Sequence, residues 1–270
     1  MSIRDDIFEM NRRLTYDLWH LRNFNQDPHQ LAPRLITPKT RSGKPRISEQ
    51  EAKALYVGVL NNLNYFFSLE TPTKELYVQR GKRNIGKSAN HDLSLFWFDP
   101  NSNQFEQKAN YEFKSKQPGV WDIQKDLEKL IRERETGVWI HILESCGKNS
   151  FEVLFDKIIK AFKQLVSVDI LMNYGSFPNS QDRDDTKRVE EIKIIFYFYS
   201  VKHNWACMKE LFFTNFKYDN VEKDFLSYLQ KFFQIKYQIR KSGKYDYIEA
   251  VKEKNGWIVL SQHNSFNVCL

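Results

Sequence analysis

The order of helices and strands predicted for residues 48 to 143 is the feature that most constrains the fold of this chain. Ser48 and Glu51 form a capping-box pattern, and apolar residues then recur on one face, which predicts an amphipathic helix from about 48 to 69. Alternating and breaker-bounded segments predict strands at 75–79, 91–98 and 110–114, a helix at about 122–135 and a strand at 138–143. We therefore expect an α/β fold with a central mixed sheet flanked by helices, and extra helical segments at both ends.

Composition sets the class of protein. The chain has 270 residues, of which 41% are hydrophobic and only 10 are Gly and 8 Pro, which excludes collagen-like and broadly disordered classes. No run approaches the roughly 18 apolar residues that span a bilayer, and the first residues lack a leader pattern, so we expect a cytoplasmic protein that does not enter a membrane. The three cysteines, Cys146, Cys207 and Cys269, are too widely separated to form a disulfide framework or a paired zinc site.

The same patterns divide the chain into three parts. Residues 1–47 are predicted to form an N-terminal helix and a basic, proline-punctuated arm, and residues 48–172 the core. Residues 173–270 are either a C-terminal extension of the same domain or a small second domain. Outside the core order, helices are expected near 151–166 and 221–240, and strands at 192–199 and 257–260.

Two carboxylates and an amine are expected to meet on one hairpin. Asp92 opens the predicted strand 91–98, and Glu112 and Lys114 close the next strand, with a turn-forming segment between them. Because strand side chains alternate, Glu112 and Lys114 share a face while Phe113 points to the opposite layer. Such a group suits a hard divalent cation and an attacking water, which favours a metal-dependent nuclease. The alternative is an exposed ion pair between Glu112 and Lys114 with no chemical role.

This arrangement resembles the PD-(D/E)XK nuclease superfamily over about residues 48 to 145. The resemblance implies a restriction-endonuclease-like core in which Asp92 and Glu112 bind one or two Mg²⁺ ions together with the backbone carbonyl of Phe113. It also implies that Lys114 orients or activates the attacking water and that Glu51 is an additional acid of the site. His91 departs from the family pattern, since it stands where a proline would precede the first acid.

The family's function and partners are implied in the same way. The resemblance implies an endonuclease that hydrolyses phosphodiester bonds of DNA, of restriction or phage-defence type, and a homodimer would supply the two sites that a double-strand break needs. The helix at 122–130 resembles the family's helix after the catalytic motif, where Lys125 and Gln124 are the weaker candidates for the site.

The net charge of +7 is concentrated in three segments without acidic residues, 32–46, 80–88 and 231–244. Clustered cations release counterions from a phosphate backbone, so these segments predict contact with nucleic acid. The residues expected to bind nucleic acid are Arg80, Lys82, Arg83, Lys87, Lys116 and Lys125.

Two other interpretations compete with a nuclease. Residues 81 to 88 satisfy the P-loop pattern G-x-x-x-x-G-K-[ST], which would bind a nucleotide if a strand preceded it and a helix followed. The basic segments and aromatic-rich strands would also suit a nucleic-acid-binding protein that holds no metal and catalyses nothing.

Overall fold

The elements were located in a computed structural model of the chain. It describes residues 2–24, 35–39, 41, 43, 46–78, 86–133, 135–144, 148–167, 191–201, 205–214, 221–233, 237–242, 245–250 and 258–261. None of the helices within these ranges combines the length and the apolar character needed to cross a membrane.

The described residues form five helices and nine strands. The helices are α1 Ile3–Phe24, α2 Glu49–Asn62, α3 Val120–Arg132, α4 Lys148–Ser167 and α5 Val221–Phe232. The strands are β1 Phe66–Val78, β2 Gly86–Asp99, β3 Gln104–Ser115, β4 Thr136–Leu143, β5 Glu191–Ser200, β6 Trp205–Thr214, β7 Tyr237–Ser242, β8 Tyr245–Ala250 and β9 Ile258–Ser261.

Seven strands make one mixed sheet in the order β1-β2-β3-β4-β5-β6-β9. The first three strands are antiparallel, while β3, β4 and β5 run parallel to one another. Parallel neighbours need a crossover connection, and α3 supplies the one between β3 and β4. The α/β class and the mixed sheet flanked by helices are thus confirmed, and β5, β6 and β9 extend the same sheet beyond residue 172.

Each face of the sheet buries its own apolar core. On one face α1 and α2 cover the inward residues of β2 to β6, and Tyr111 and Phe113 of β3 belong to this core. On the other face α3, α4 and α5 cover residues such as Trp139, Phe196 and Phe198. Side chains alternate along β3, so Glu112 and Lys114 point to the opposite face, where they form ion pairs with α3.

The predicted helix at 48–69 is correct at its start but wrong at its end. Ser48 caps α2 as expected, yet the helix stops at Asn62, and Asn64 takes a left-handed conformation with φ 59°. Phe66 and Phe67 then begin β1, which is much longer than the predicted strand 75–79. The helix was predicted too long because these two aromatic residues continue the helical spacing of apolar residues, although they belong to a strand.

The C-terminal third differs most from the sequence prediction. The helix expected at 221–240 ends at Phe232, and residues 237–242 instead form β7 in a hairpin with β8. Strand β6 was not predicted, although it pairs along its whole length with β5. The predicted boundary between residues 172 and 173 lies outside the described ranges, as do residues 234–236 and 243–244 of the basic segment 231–244.

Candidate functional site

The sheet opens between β2 and β3. Their pairing ends at Leu93 and Tyr111, although both strands continue beyond these residues. Past this point β2 stays paired with β1 at His91, and β3 stays paired with β4 to its end. Strands that part in this way leave backbone groups without ladder partners. Asp92 and Glu112 are the first residues past the last pair, so both carboxylates lie at this β2–β3 gap.

The Asp92 carboxylate accepts a hydrogen bond from β3 where the backbone of β2 no longer does. Its Oδ2 accepts a hydrogen bond of 2.7 Å from the backbone N–H of Phe113. Its Oδ1 lies 3.6 Å from Nζ of Lys53 on α2, which also forms a 2.5 Å ion pair with Glu70 of β1. The Asp92 side chain keeps 29% exposure, so it remains open to a ligand from solvent.

Glu112 is almost completely buried, with 2% exposure, and two side chains contact its Oε1. Nζ of Lys129 on α3 approaches to 2.6 Å and Nδ1 of His91 to 3.0 Å. Burial and the nearby charge of Asp126 raise the pKa of Glu112 well above its ordinary value, and Lys129 opposes this rise. Burial disfavours the charge of Lys129, but Glu112 and Asp126 outweigh it and raise the lysine pKa.

Lys114 pairs across to helix α3 and not along its own strand. Its Nζ lies 2.6 Å from Oδ2 of Asp126, a carboxylate with 1% exposure, and Lys129 lies 3.4 Å from the other oxygen of that carboxylate. Burial lowers the pKa of Lys114, but Asp126 outweighs this and raises it. The alternative of an exposed ion pair between Glu112 and Lys114 is therefore wrong, because Glu112 is buried and each residue pairs with α3.

His91 stands at this site as a neutral imidazole. Burial, with the nearby charge of Lys129, lowers its pKa from 6.5 to about 3. When Glu112 is ionised its oxygens only accept hydrogen bonds, so in that state Nδ1 carries the hydrogen that the ring donates to Glu112. The sequence marked this position only as a departure from a family pattern, and the structure gives it a direct contact with a site carboxylate.

Asp126 and Lys129 were not identified from the sequence. Each immediately precedes an apolar residue of the buried stripe of α3, Leu127 and Leu130, and both are themselves buried. Polar residues at the margin of an amphipathic stripe are a usable signal, but the same pattern describes many solvated helix margins.

Glu51 lies away from this group. Its carboxylate accepts hydrogen bonds from the backbone N–H of Ser48, at 2.7 Å, and from the Ser48 hydroxyl, which completes the capping box. Among the described contacts, it is Lys53, half a turn later on α2, that reaches Asp92.

The residues predicted to bind nucleic acid have mixed outcomes. Arg80, Lys82 and Arg83 lie outside the described residues, and Lys87 is described only as a backbone partner in β2. Lys116 is exposed directly after β3, with φ 61°, and Lys125 is exposed on α3 with its Nζ 3.8 Å from Asp126. Gln124 of the same helix is buried.

The P-loop pattern at residues 81 to 88 lacks its helix. Its last three residues, Gly86 to Ser88, begin β2, which continues as a strand to Asp99. A phosphate-binding loop of this type needs a helix N-terminus after the pattern, so the nucleotide-binding interpretation loses its structural basis here.

The donors at the gap fit Mg²⁺ better than a metal that needs many protein ligands. Among the described residues, no three His, Cys, Asp or Glu side chains cluster in a way that could hold a metal ion. Mg²⁺ keeps several waters and is commonly held by one or two carboxylates. Asp92 and Glu112 supply two such carboxylates, and a cation would offset the repulsion from Asp126 that, together with burial, raises the pKa of Glu112.

Comparisons with protein-family models, with curated proteins and with solved structures gave no match to this chain.

Proposed function

We propose that this protein is a Mg²⁺-dependent nuclease with a restriction-endonuclease-like core and that it hydrolyses phosphodiester bonds of DNA. The observation that carries the proposal is the convergence of Asp92, Glu112 and Lys114 at the β2–β3 gap, where the strands part and α3 adds Asp126 and Lys129. The order of α2, β1 to β3, α3 and β4 supports the same family.

The chain's own residues have distinct tasks in this proposal. Asp92 and Glu112 would hold Mg²⁺, with the backbone carbonyl of Phe113 as a third donor. Bound Mg²⁺ supplies Lewis-acid polarisation of the scissile phosphate and neutralises charge that develops on the leaving oxygen. Lys114, held by Asp126 at 2.6 Å, would orient the attacking water and stabilise negative charge at the phosphate.

The charge of the protein supports a nucleic-acid substrate. The net charge of +7 gives the molecule a sequence-independent attraction to polyanions that weakens as salt increases. Lys116 and Lys125 are exposed just after β3 and on α3, close in sequence to the site, where they could contact the backbone of a bound strand. A homodimer would place two such sites on a duplex.

The direct test is cleavage of supercoiled plasmid and of linear single strands with Mg²⁺ or with EDTA. We expect Lys114→Ala to reduce Mg²⁺-dependent cleavage at least about 100-fold while DNA binding stays nearly unchanged. Lys108→Ala is the matched control, because Lys108 lies on the same strand and pairs with Glu106 at the end of β3 that is distant from the gap. Full cleavage by Lys114→Ala, or equal cleavage in EDTA, would contradict the proposal.

One observation favours a second function, a nucleic-acid-binding protein without catalysis. Glu112 and Asp126 already have lysine partners within 2.6 Å, and such a network can stabilise a fold without any metal. In that case the wild-type protein would bind DNA with a strong salt dependence and cleave none of the substrates with Mg²⁺.

A further inference from the structure

Three consecutive residues of β2 contact β3 or α3 beside the β2–β3 gap. The backbone carbonyl of Asn90 accepts a 2.9 Å hydrogen bond from Lys129, His91 contacts Glu112 at 3.0 Å, and Asp92 accepts a bond from Phe113. Of these three residues of β2, only Asp92 has a chemical role in the proposed nuclease. The other two hold the partners of that chemistry in place.

The contact of His91 with Glu112 is selective for one carboxylate oxygen. Both His91 and Lys129 approach Oε1, the first at 3.0 Å and the second at 2.6 Å. Two contacts on one oxygen fix the carboxylate plane and its rotation, and they leave Oε2 as the oxygen available to a cation. An arrangement of this kind lowers the conformational freedom that Glu112 would lose on binding a ligand.

We propose that His91 is a positioning residue that orients Glu112 for cation binding. His91 is fully buried, and its other ring nitrogen, Nε2, has no hydrogen-bond partner among the described residues. The tautomer with hydrogen on Nδ1 places the ring's single donor on the carboxylate and leaves only a lone pair without a partner. The inference rests on the proposed metal-dependent function, because it gives Glu112 a cation to bind.

Packing alone would not need this side chain. Thr71 of β1 is the neighbour of His91 in the ladder, and Leu93, two residues later on the same strand, belongs to the apolar core. An apolar residue at position 91 would therefore preserve burial and strand propensity, while a histidine adds a polar ring that must find a partner. The partner that it finds is a proposed metal ligand.

The experiment compares His91→Leu with His91→Asn. Leucine fills similar volume without a donor, whereas the asparagine amide N–H can occupy the position of Nδ1–H and donate to Glu112. Binding of Mn²⁺ to the DNA-free protein is measured by electron paramagnetic resonance, and kcat and KM for plasmid cleavage are measured separately. We expect His91→Leu to weaken Mn²⁺ binding about 10-fold or more and to lower kcat, and His91→Asn to stay within about threefold of wild type.

Ser94→Ala is the matched control for loss of a buried cross-strand hydrogen bond. The Ser94 hydroxyl donates to Oδ1 of Asn110 at 2.7 Å, further along the same two strands and away from the gap. This variant should lose some stability with its Mn²⁺ affinity unchanged. Thermal unfolding of all variants shows whether each is folded at the temperature of the titration.

The outcomes separate this inference from the proposed function. If wild type binds Mn²⁺ and cleaves DNA but His91→Leu retains wild-type Mn²⁺ affinity, the positioning role is overturned and the nuclease stands. If His91→Asn loses as much affinity as His91→Leu, the ring contributes shape and not a donor, which also overturns it. If wild type neither binds Mn²⁺ nor cleaves, both proposals fail together.

Discussion

Lys114 of β3 lies 2.6 Å from Asp126 of α3, while Glu112, two residues earlier on the same strand, pairs with Lys129 of that helix. Two ion pairs of opposite polarity thus connect one strand to one helix across a nearly dry interface. Because removing one partner leaves a poorly solvated charge, each pair makes the position of α3 and the geometry of the site depend on each other.

Asp126→Asn is expected to destabilise the protein by about 3 kcal/mol, since it leaves the Lys114 and Lys129 ammonium groups competing for Glu112. The measurement is the free energy of unfolding in urea. Asp122→Asn makes the same chemical change at an exposed position in the first turn of α3, where it should cost only about 0.5 kcal/mol through the helix dipole.

The double variant Lys114→Met with Asp126→Leu separates the structural part of this pair from the catalytic part. Replacing both charges by apolar groups of similar size should recover most of the stability that Asp126→Asn loses. Cleavage should remain as low as in Lys114→Ala, because the ammonium is still missing. A double variant that regains cleavage would show that Lys114 acts only as a structural partner.

Protonation of His141 is expected to make the fold less stable in acid. Its Nδ1 accepts a bond from the Trp139 indole at 3.4 Å and its Nε2–H donates to the carbonyl of Lys116 at 2.9 Å, so a second proton would face an N–H donor. Burial lowers the pKa of His141 from 6.5 to about 4, despite the hydrogen bond to Lys116. Between these values only the unfolded chain binds the proton, so stability falls as the pH decreases.

The size and test of this effect follow from the same values. A difference of 6.5 minus about 4 corresponds to about 3 kcal/mol lost by pH 4 and fully present above pH 6.5. His141→Gln keeps a donor for the Lys116 carbonyl but cannot be protonated. The free energy of unfolding of this variant should therefore decrease less than that of the wild type as the pH falls. Urea unfolding at several pH values between about 4.5 and 7.5 measures this difference. Equal slopes of unfolding free energy against pH for both proteins would contradict the assignment of the effect to His141.

Glu51→Gln is expected to leave DNA cleavage unchanged. The sequence suggested Glu51 as an additional acid of the site, but its carboxylate bonds to Ser48 at the start of α2, and glutamine serves the same capping role. Ser48→Ala should cost about 1 kcal/mol of stability, again with normal cleavage by the folded protein. A loss of cleavage in Glu51→Gln without loss of stability would return Glu51 to the site.

Sequence periodicity was sufficient for the parts of the site that lie on one element. The alternation along β3 correctly separated Glu112 and Lys114 from Phe113, which packs in the core under α1 and α2. Periodicity could not predict that Asp126 and Lys129 contact the site, because an ion pair between a strand and a helix depends on how the helix lies across the sheet. That placement is set by tertiary packing, which one chain's pattern does not specify.

The strands missed in the sequence have a similar physical cause. Lys209 and Glu210 interrupt the apolar alternation of strand β6, so its sequence does not predict a strand. Pairing with β5 and β9 stabilises the strand instead. The helix expected through residue 240 ends at Phe232, because residues 237–242 pair with β8 and the helical spacing of lysine and aromatic residues did not reveal that pairing. In both cases long-range pairing decided between local alternatives.

Gly137 fixes how closely α3 lies on the sheet. A Cβ at this position of β4 would lie 3.0 Å from Cβ of Leu130 on α3 and 3.3 Å from Cγ1 of Ile194 on β5. Gly137→Ala should therefore destabilise the protein by about 1 to 3 kcal/mol, because the neighbouring atoms are backbone-proximal and have little room to move. Urea unfolding measures this loss.

The matched change is Gly58→Ala on an exposed position of α2, where no atom lies within 4 Å of the new Cβ. It should stabilise the protein by about 0.5 to 1 kcal/mol, since alanine favours the helix. Because α3 carries Asp126 and Lys129, Gly137→Ala should also lower cleavage under conditions where it is fully folded, whereas Gly58→Ala should not. Normal cleavage by folded Gly137→Ala would mean that the site tolerates a shift of α3, and would weaken the link between helix placement and the orientation of Lys114 and Glu112.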